Sequence, residues 1–233
     1  MARRILDLSR SWPWFAGFFL LALVAFWPTY LSQVAASSFY THVHAASASI
    51  WMLLLIAQSW AIGSRRVALH RAFGKASYGV APVVAVSILL LAHERISGAA
   101  AGQAYEIQTY ILYLQLSLAF LFTLSYALAI GTRRSVARHS RFMVCTALTL
   151  IDPVAIRLMF WADPTPEWNY QWATFGLTDL VLLALIWAER NNRAGRGVFP
   201  AMLVVFVLAQ LPALLGWTEG ALWQGFAQWV AEL

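Results

Sequence analysis

Residues 140–161 read SRFMVCTALTLIDPVAIRLMFW, a stretch long enough to cross a bilayer as a helix, which takes about 20 residues. Asp152, Pro153 and Arg157 nevertheless stand in its interior. An ionisable side chain at the bilayer centre costs about 3 kcal/mol or more, and such groups face a bundle interior or a water-filled cavity, where they mark function. Asp152 and Arg157 are therefore the first candidates for a site, and the segment that carries them sets the fold class.

The rest of the chain agrees with that reading. Of 233 residues, 61% are hydrophobic and 11% charged, where a soluble domain carries about 25% charge. Seven segments are apolar and long enough to span: 13–34, 41–62, 75–94, 107–131, 140–161, 170–188 and 199–217. The expected fold is all-α: one polytopic membrane domain of seven transmembrane helices covering residues 1–233, with a short amphipathic interfacial helix over 218–233. In that tail Leu222, Phe226, Trp229 and Leu233 recur at helical spacing, with Trp223 and Val230 beside them, as suits a helix lying in the membrane interface or packed on a neighbouring subunit.

Charge sorts by side. Arg3, Arg4 and Arg10 precede the first span; Arg65, Arg66, Arg71 and Lys75 follow the second. Arg133, Arg134, Arg138 and Arg141 follow the fourth, and Arg190, Arg193 and Arg196 the sixth. Basic loops mark the cytoplasmic face, so the N-terminus is expected inside and the C-terminus outside. The opposite loops hold Arg95 with Glu94, Glu106, Asp163, Glu167, Glu219 and Glu232. No polar domain exists to present the net charge of +6 to nucleic acid, so the partner of these loops is the anionic lipid surface. The basic start, the apolar run and Val34-Ala35-Ala36 also resemble a signal peptide, but the run from Trp14 to Leu31 exceeds the usual 7 to 15 residues and reads as a membrane helix.

Depth follows from counting inward from each outer end. Asp152, Asp179, Gln115 and Gln210 share a layer roughly 10 to 14 Å below the outer boundary, with Arg157 and His44 roughly 5 to 6 Å deep. His42, His93 and Glu94 sit at the rim. Five spans thus contribute polar groups to the outer half. Pro153 removes the hydrogen bond that would reach the Thr149 carbonyl, so a kink is expected there. Arg157 lies about 140° around the helix from Asp152, which makes Asp179 its expected partner.

Three functional readings stay open. In the first, His44 and His93, with His42 or Glu94, hold a b-type haem or a divalent metal; the same histidines also read as hydrogen-bonded interfacial residues or pH sensors. In the second, the layer of Asp152, Arg157, Asp179, Gln115 and Gln210 serves a proton-coupled carrier or receptor for a small anionic or zwitterionic solute. A third possibility is an accessory subunit of a larger membrane complex. His70 and His139, set among cytoplasmic arginines, cannot reach either cluster.

The pattern His42-x-His44, Trp51, Gln58, then Leu69-His70-Arg71-x-x-Gly74, then His139-x-Arg141-Phe142-Met143 with Arg157 late in the same helix resembles a loosely defined set of bacterial multi-spanning membrane proteins without assigned activity. The resemblance covers about residues 40 to 160 and implies a bacterial inner-membrane location. Several chemistries are excluded from the residues alone. The one lysine, Lys75, lies at the cytoplasmic rim, away from any retinal pocket. No Cys-x-x-Cys-His is present, no histidine follows His139 as membrane zinc hydrolases require, and Gln58 occupies the position a second stacked haem would need. Cys145 is the only cysteine, so no disulfide forms within the chain.

Overall fold

A computed structural model describes residues 10–99, 102–163 and 169–233; Arg3, Arg4 and Glu167 lie outside them. Among the described residues the secondary structure is helical, with nine α-helices and two short 3₁₀ turns. Five helical passes are long and apolar enough to cross a membrane: Phe39–Gly63, Val67–Ser97, Ala104–Gly131, Val136–Ala162 and Gln171–Ala188. Two shorter apolar helices, Trp12–Ala25 and Val198–Leu214, accompany them.

Helix α1 (Trp12–Ala25) ends well before the expected position 34. Pro28 explains this: it lacks an N–H, and its ring clashes with the carbonyl four residues back, at Val24. The chain turns after Ala25 and passes through a 3₁₀ segment, Leu31–Ala36, which leaves Phe26 free to face the bundle. Helix α2 (Phe39–Gly63) starts on Ser38, whose hydroxyl accepts from the Thr41 amide at 3.2 Å. Helix α3 (Val67–Ser97) runs on at both ends past the expected 75–94. His93 and Glu94 therefore belong to its last turns. Helix α4 spans Gln103–Gly131.

The stretch that decided the fold class is two helices, α5 (Val136–Leu148) and α6 (Ile151–Ala162), broken at Thr149 and Leu150. The break falls where Pro153 has no proton to offer the Thr149 carbonyl. Helices α7 (Gln171–Ala188) and α8 (Val198–Leu214) complete the apolar set, and α9 (Ala221–Ala231) closes the chain.

Consecutive helices pack side by side, α2 with α3, α3 with α4, α4 with α5, α6 with α7 and α7 with α8. Short connections between neighbours make these pairs antiparallel. One core joins Leu121 and Ala129 of α4, Phe142 and Cys145 of α5, Leu182 of α7 and Phe199, Met202 and Phe206 of α8. A second gathers Trp51, Met52 and Leu55 of α2, Ala81 and Val84 of α3 and Phe122 of α4, with Phe15, Phe18 and Phe19 of α1 against it.

The C-terminal helix buries a face other than the striped one. Ala227, Trp223 and Val230 pack on Ala92, Ile96 and Leu112 of α3 and α4, and the Trp223 indole donates to the Thr109 carbonyl at 3.0 Å. Leu222, Phe226, Trp229 and Leu233 are left exposed. The tail is thus held by its own chain, with its most apolar stripe turned outward.

Candidate functional site

An aromatic layer forms the floor of the site. Trp51, 1% exposed, meets the rings of Phe122 and Tyr126 edge-on at 5.1 and 5.4 Å. Its Nε1–H donates to Thr146 Oγ1 at 3.2 Å. Helices α2, α4 and α5 therefore converge at one level. Two turns further toward the predicted outer face, about 10 Å, the same three passes bring His44, Gln115 and Pro153 to a common height. Arg157 stands one turn above Pro153.

Arg157 is the least satisfied cation in this layer. Its Nη1 donates to the Pro153 carbonyl at 2.7 Å, and the guanidinium lies 4.1 Å above the Phe26 ring centre. Its Nε is sealed from solvent and makes no hydrogen bond. Arg95, His44 and Asp152 are close enough to interact with it electrostatically. The expected Arg157–Asp179 pair does not form: Asp179 accepts instead from Gln210 Nε2 at 3.1 Å. The residue that captures Arg157 is Phe26, which the early end of α1 frees.

Asp152 is buried and committed to α7. Its Oδ1 accepts from Gln171 Nε2 at 2.5 Å and from the Thr174 hydroxyl, and both donors are buried. Neither was singled out in the sequence, although polar residues a turn apart at the start of an apolar helix are a signal for such a contact. Tyr110 on α4 stands by Asn169 and within electrostatic reach of Asp152.

The four residues expected to share a layer divide between two places. Asp152 and Gln210 line a cavity of about 20 Å³ with Ser117 and Thr178, room for a single water molecule, and Gln210 ties Asp179 to this side. Gln115 is not part of that cavity's lining, and its Oε1 is sealed and without a partner.

The histidine set does not assemble as one centre. His44 Nδ1 meets Ser87 Oγ at 3.1 Å, His42 Nδ1 meets the Tyr30 hydroxyl at 3.0 Å, and His93 Nε2 meets Ser97 at 3.2 Å. Glu94 accepts from Ser38 at 2.6 Å. Each candidate ligand thus has its own hydroxyl partner. Among the described residues no three of His, Cys, Asp and Glu come together as a group able to hold a metal ion. The Ser87 hydroxyl also reaches the Val84 carbonyl at 2.8 Å and Ser47 Oγ at 3.1 Å, so His44 belongs to a hydroxyl network joining α2 and α3.

At the opposite end of the bundle the buried arginine is paired. Arg141, 4% exposed, grips Glu189 through Nε and Nη2 at 2.6 and 2.7 Å and donates from Nη1 to the Ala137 carbonyl at 2.5 Å. Gly195, with φ at +73°, presses against it: a Cβ there would meet both Ala137 O and Arg141 Nη1 at 2.9 Å. With its amide oriented to satisfy both ends, Gln58 donates to the His70 carbonyl at 3.1 Å and to His70 Nδ1, and accepts from the Gly74 amide at 2.7 Å. His139 donates from Nδ1 to the Ala129 carbonyl at 2.9 Å. Gln58, His70, Gly74, His139 and Arg141, all part of the noted pattern, therefore serve as pins between helices. Glu189 was overlooked, though it is an acid set immediately before three arginines.

Compared with family models, with curated proteins and with solved structures, the chain gives no match.

Proposed function

We propose that the chain is a seven-pass inner-membrane protein of bacteria that binds a small anionic or zwitterionic solute in a chamber of its extracytoplasmic half. Arg157 is the anion contact. The observation that carries this reading is the sealed, unpaired Nε of Arg157 near a second arginine, Arg95, with no carboxylate in ion-pair contact among the described residues. A buried polar atom without a partner costs about 1 to 3 kcal/mol, more when it is charged, and the layer is stabilised when an anion supplies the missing acceptors. The Phe26 ring and the Pro153 carbonyl hold the guanidinium plane in the meantime.

In this reading Trp12–Ala25 and Val198–Leu214 are the additional crossings, at about 21 and 25 Å by rise per residue. The N-terminus then lies in the cytoplasm and the C-terminus outside, supported by the basic residues at one end of the bundle and by the paired Arg141–Glu189 pin among them. The resemblance over residues 40 to 160 supports the bacterial inner membrane. Asp152, with Gln171 and Thr174 behind it, is the group that exchanges a proton during transport.

The test is solute binding and uptake by the full chain reconstituted in liposomes. Arg157→Met abolishes binding and Asp152→Asn abolishes proton-coupled uptake; unchanged binding and uptake in both variants for every solute taken by the parent would end this reading. The outward stripe of α9 supports a second one, docking to another membrane subunit. A native gel in mild detergent that shows the chain alone or only self-associated removes it.

A further inference from the structure

The small cavity beside Asp152 is walled by leucine, phenylalanine and alanine, and four polar residues share its lining: Ser117 of α4, Asp152 of α6, Thr178 of α7 and Gln210 of α8. It stands at the break in the Val136–Ala162 pass, for Leu148, which ends α5, and Asp152, in the first turn of α6, both line it. The protons of these polar groups are already committed elsewhere. Ser117 gives its hydroxyl proton to the Tyr113 carbonyl at 2.6 Å, and Thr178 gives its own to the Thr174 carbonyl at 3.2 Å. Gln210 directs Nε2 to Asp179 at 3.1 Å, which leaves Oε1. Asp152 Oδ1 is taken by Gln171 and Thr174, which leaves Oδ2. Four acceptors therefore remain, one from each of four helices. A water molecule has two protons to give and cannot answer all of them; a cation can.

We infer that this cavity is a site for one dehydrated alkali-metal cation, sodium or potassium, held by the Asp152 carboxylate, the Ser117 and Thr178 hydroxyls and the Gln210 amide oxygen. The inference rests on the reading of Asp152 as the group that releases its proton, and names the ion that takes the proton's place. Asp152 is 7% exposed and has no cation in ion-pair contact among the described residues, and a carboxylate so buried is stable only when protonated or paired. Oxygen donors alone suit hard cations, not the softer metals that imidazole and thiolate bind. The single carboxylate sets the charge: a monovalent ion neutralises it, whereas a divalent ion leaves an excess buried among apolar walls. The volume of about 20 Å³ admits the ion only without its hydration shell. A broken membrane helix beside the site is the setting in which transporters bind coupling ions.

The experiment uses the detergent-purified full chain, without any solute, and follows its thermal midpoint in sodium, potassium and choline chlorides at one ionic strength. The midpoint rises and saturates with sodium or potassium and stays level with choline, and whichever alkali ion acts at the lower concentration is the resident one. Asp152→Asn removes the response. Thr178→Val, which keeps the charge and loses one ligand, raises the half-saturating concentration about tenfold, and it decides the matter where Asp152→Asn does not fold. Arg157→Met leaves the response in place. An equal rise with choline is screening alone and overturns the site. A response unchanged in both Asp152→Asn and Thr178→Val puts the ion elsewhere and overturns it too. No response to either alkali ion leaves a water molecule as the occupant and ends the inference, while loss of proton-coupled uptake in Asp152→Asn would still uphold the reading of Asp152. A cation response with uptake untouched by Asp152→Asn separates the two the other way.

Discussion

Arg141 and Arg157 stand at opposite ends of one membrane pass, and their surroundings differ in kind. Arg141 has a bidentate carboxylate at 2.6 and 2.7 Å and a backbone carbonyl besides. Arg157 has a carbonyl, an aromatic face and a sealed Nε with nothing to bond. Breaking a buried ion pair by deleting one partner costs about 3 to 5 kcal/mol because the other charge is stranded. An arginine that is already unpaired loses no such partner on substitution, and its removal relieves a cost. The first is the signature of a structural pin; the second fits the proposed anion contact.

The largest expected effect breaks the comparison if it is wrong. Glu189→Ala strands Arg141 and should destabilise the protein by about 3 to 5 kcal/mol, read as a lowered thermal midpoint in detergent or loss of folded material. Arg157→Met should leave that midpoint unchanged or raised while binding disappears. Equal destabilisation by both substitutions would mean that the two arginines do the same work.

Next in size is Gly195→Ala. Its positive φ and the 2.9 Å approach to Ala137 O and Arg141 Nη1 force either the loop or the guanidinium to move. A backbone held in this region costs a residue with a Cβ of order 1 to 3 kcal/mol, and the ion pair it covers would be disturbed as well. The midpoint should fall, though less than in Glu189→Ala, and binding at the far end should persist. Trp51→Phe follows: it loses the bond to Thr146 at 3.2 Å, worth about 0.5 to 1.5 kcal/mol.

How much of this was legible from the sequence depended on the kind of contact. Helical class and the five long passes follow from hydropathy, because a chain in lipid must satisfy its backbone within each helix. The break before Pro153 was legible for the same local reason. The early end of α1 was equally local, but Pro28 stands within a strongly apolar run whose length masked it. Side-chain partners were not legible. Arg157 was matched to Asp179 because it points away from Asp152 around an ideal helix, whereas Phe26 captures it from a segment whose apolar run reads as helix. Gln171 and Thr174 face Asp152 across two passes, and no spacing within one helix reports that. Four residues at one depth split between two places because depth says nothing about rotation of each helix in the bundle.

Pro153→Ala gives the smallest expected change in stability and the sharpest test of how the Arg157 site is made. Alanine restores a backbone N–H at position 153, which can bond the Thr149 carbonyl and continue α5 into α6. The gain from that bond is offset by distortion of contacts already fitted around the break, so the midpoint should move by no more than about 1 kcal/mol in equivalent stability. Binding should respond far more. Straightening the pass rotates everything beyond residue 150 relative to α5, and with it Arg157, whose Nη1 is tied to the carbonyl of residue 153 itself. Arg157 would leave the Phe26 ring and the height of His44 and Gln115, with all three side chains still present. A Pro153→Ala protein that melts like the parent but has lost its solute therefore shows that the break positions the arginine. Unchanged binding would show that Phe26 and the packing of α1 hold it without help from the break.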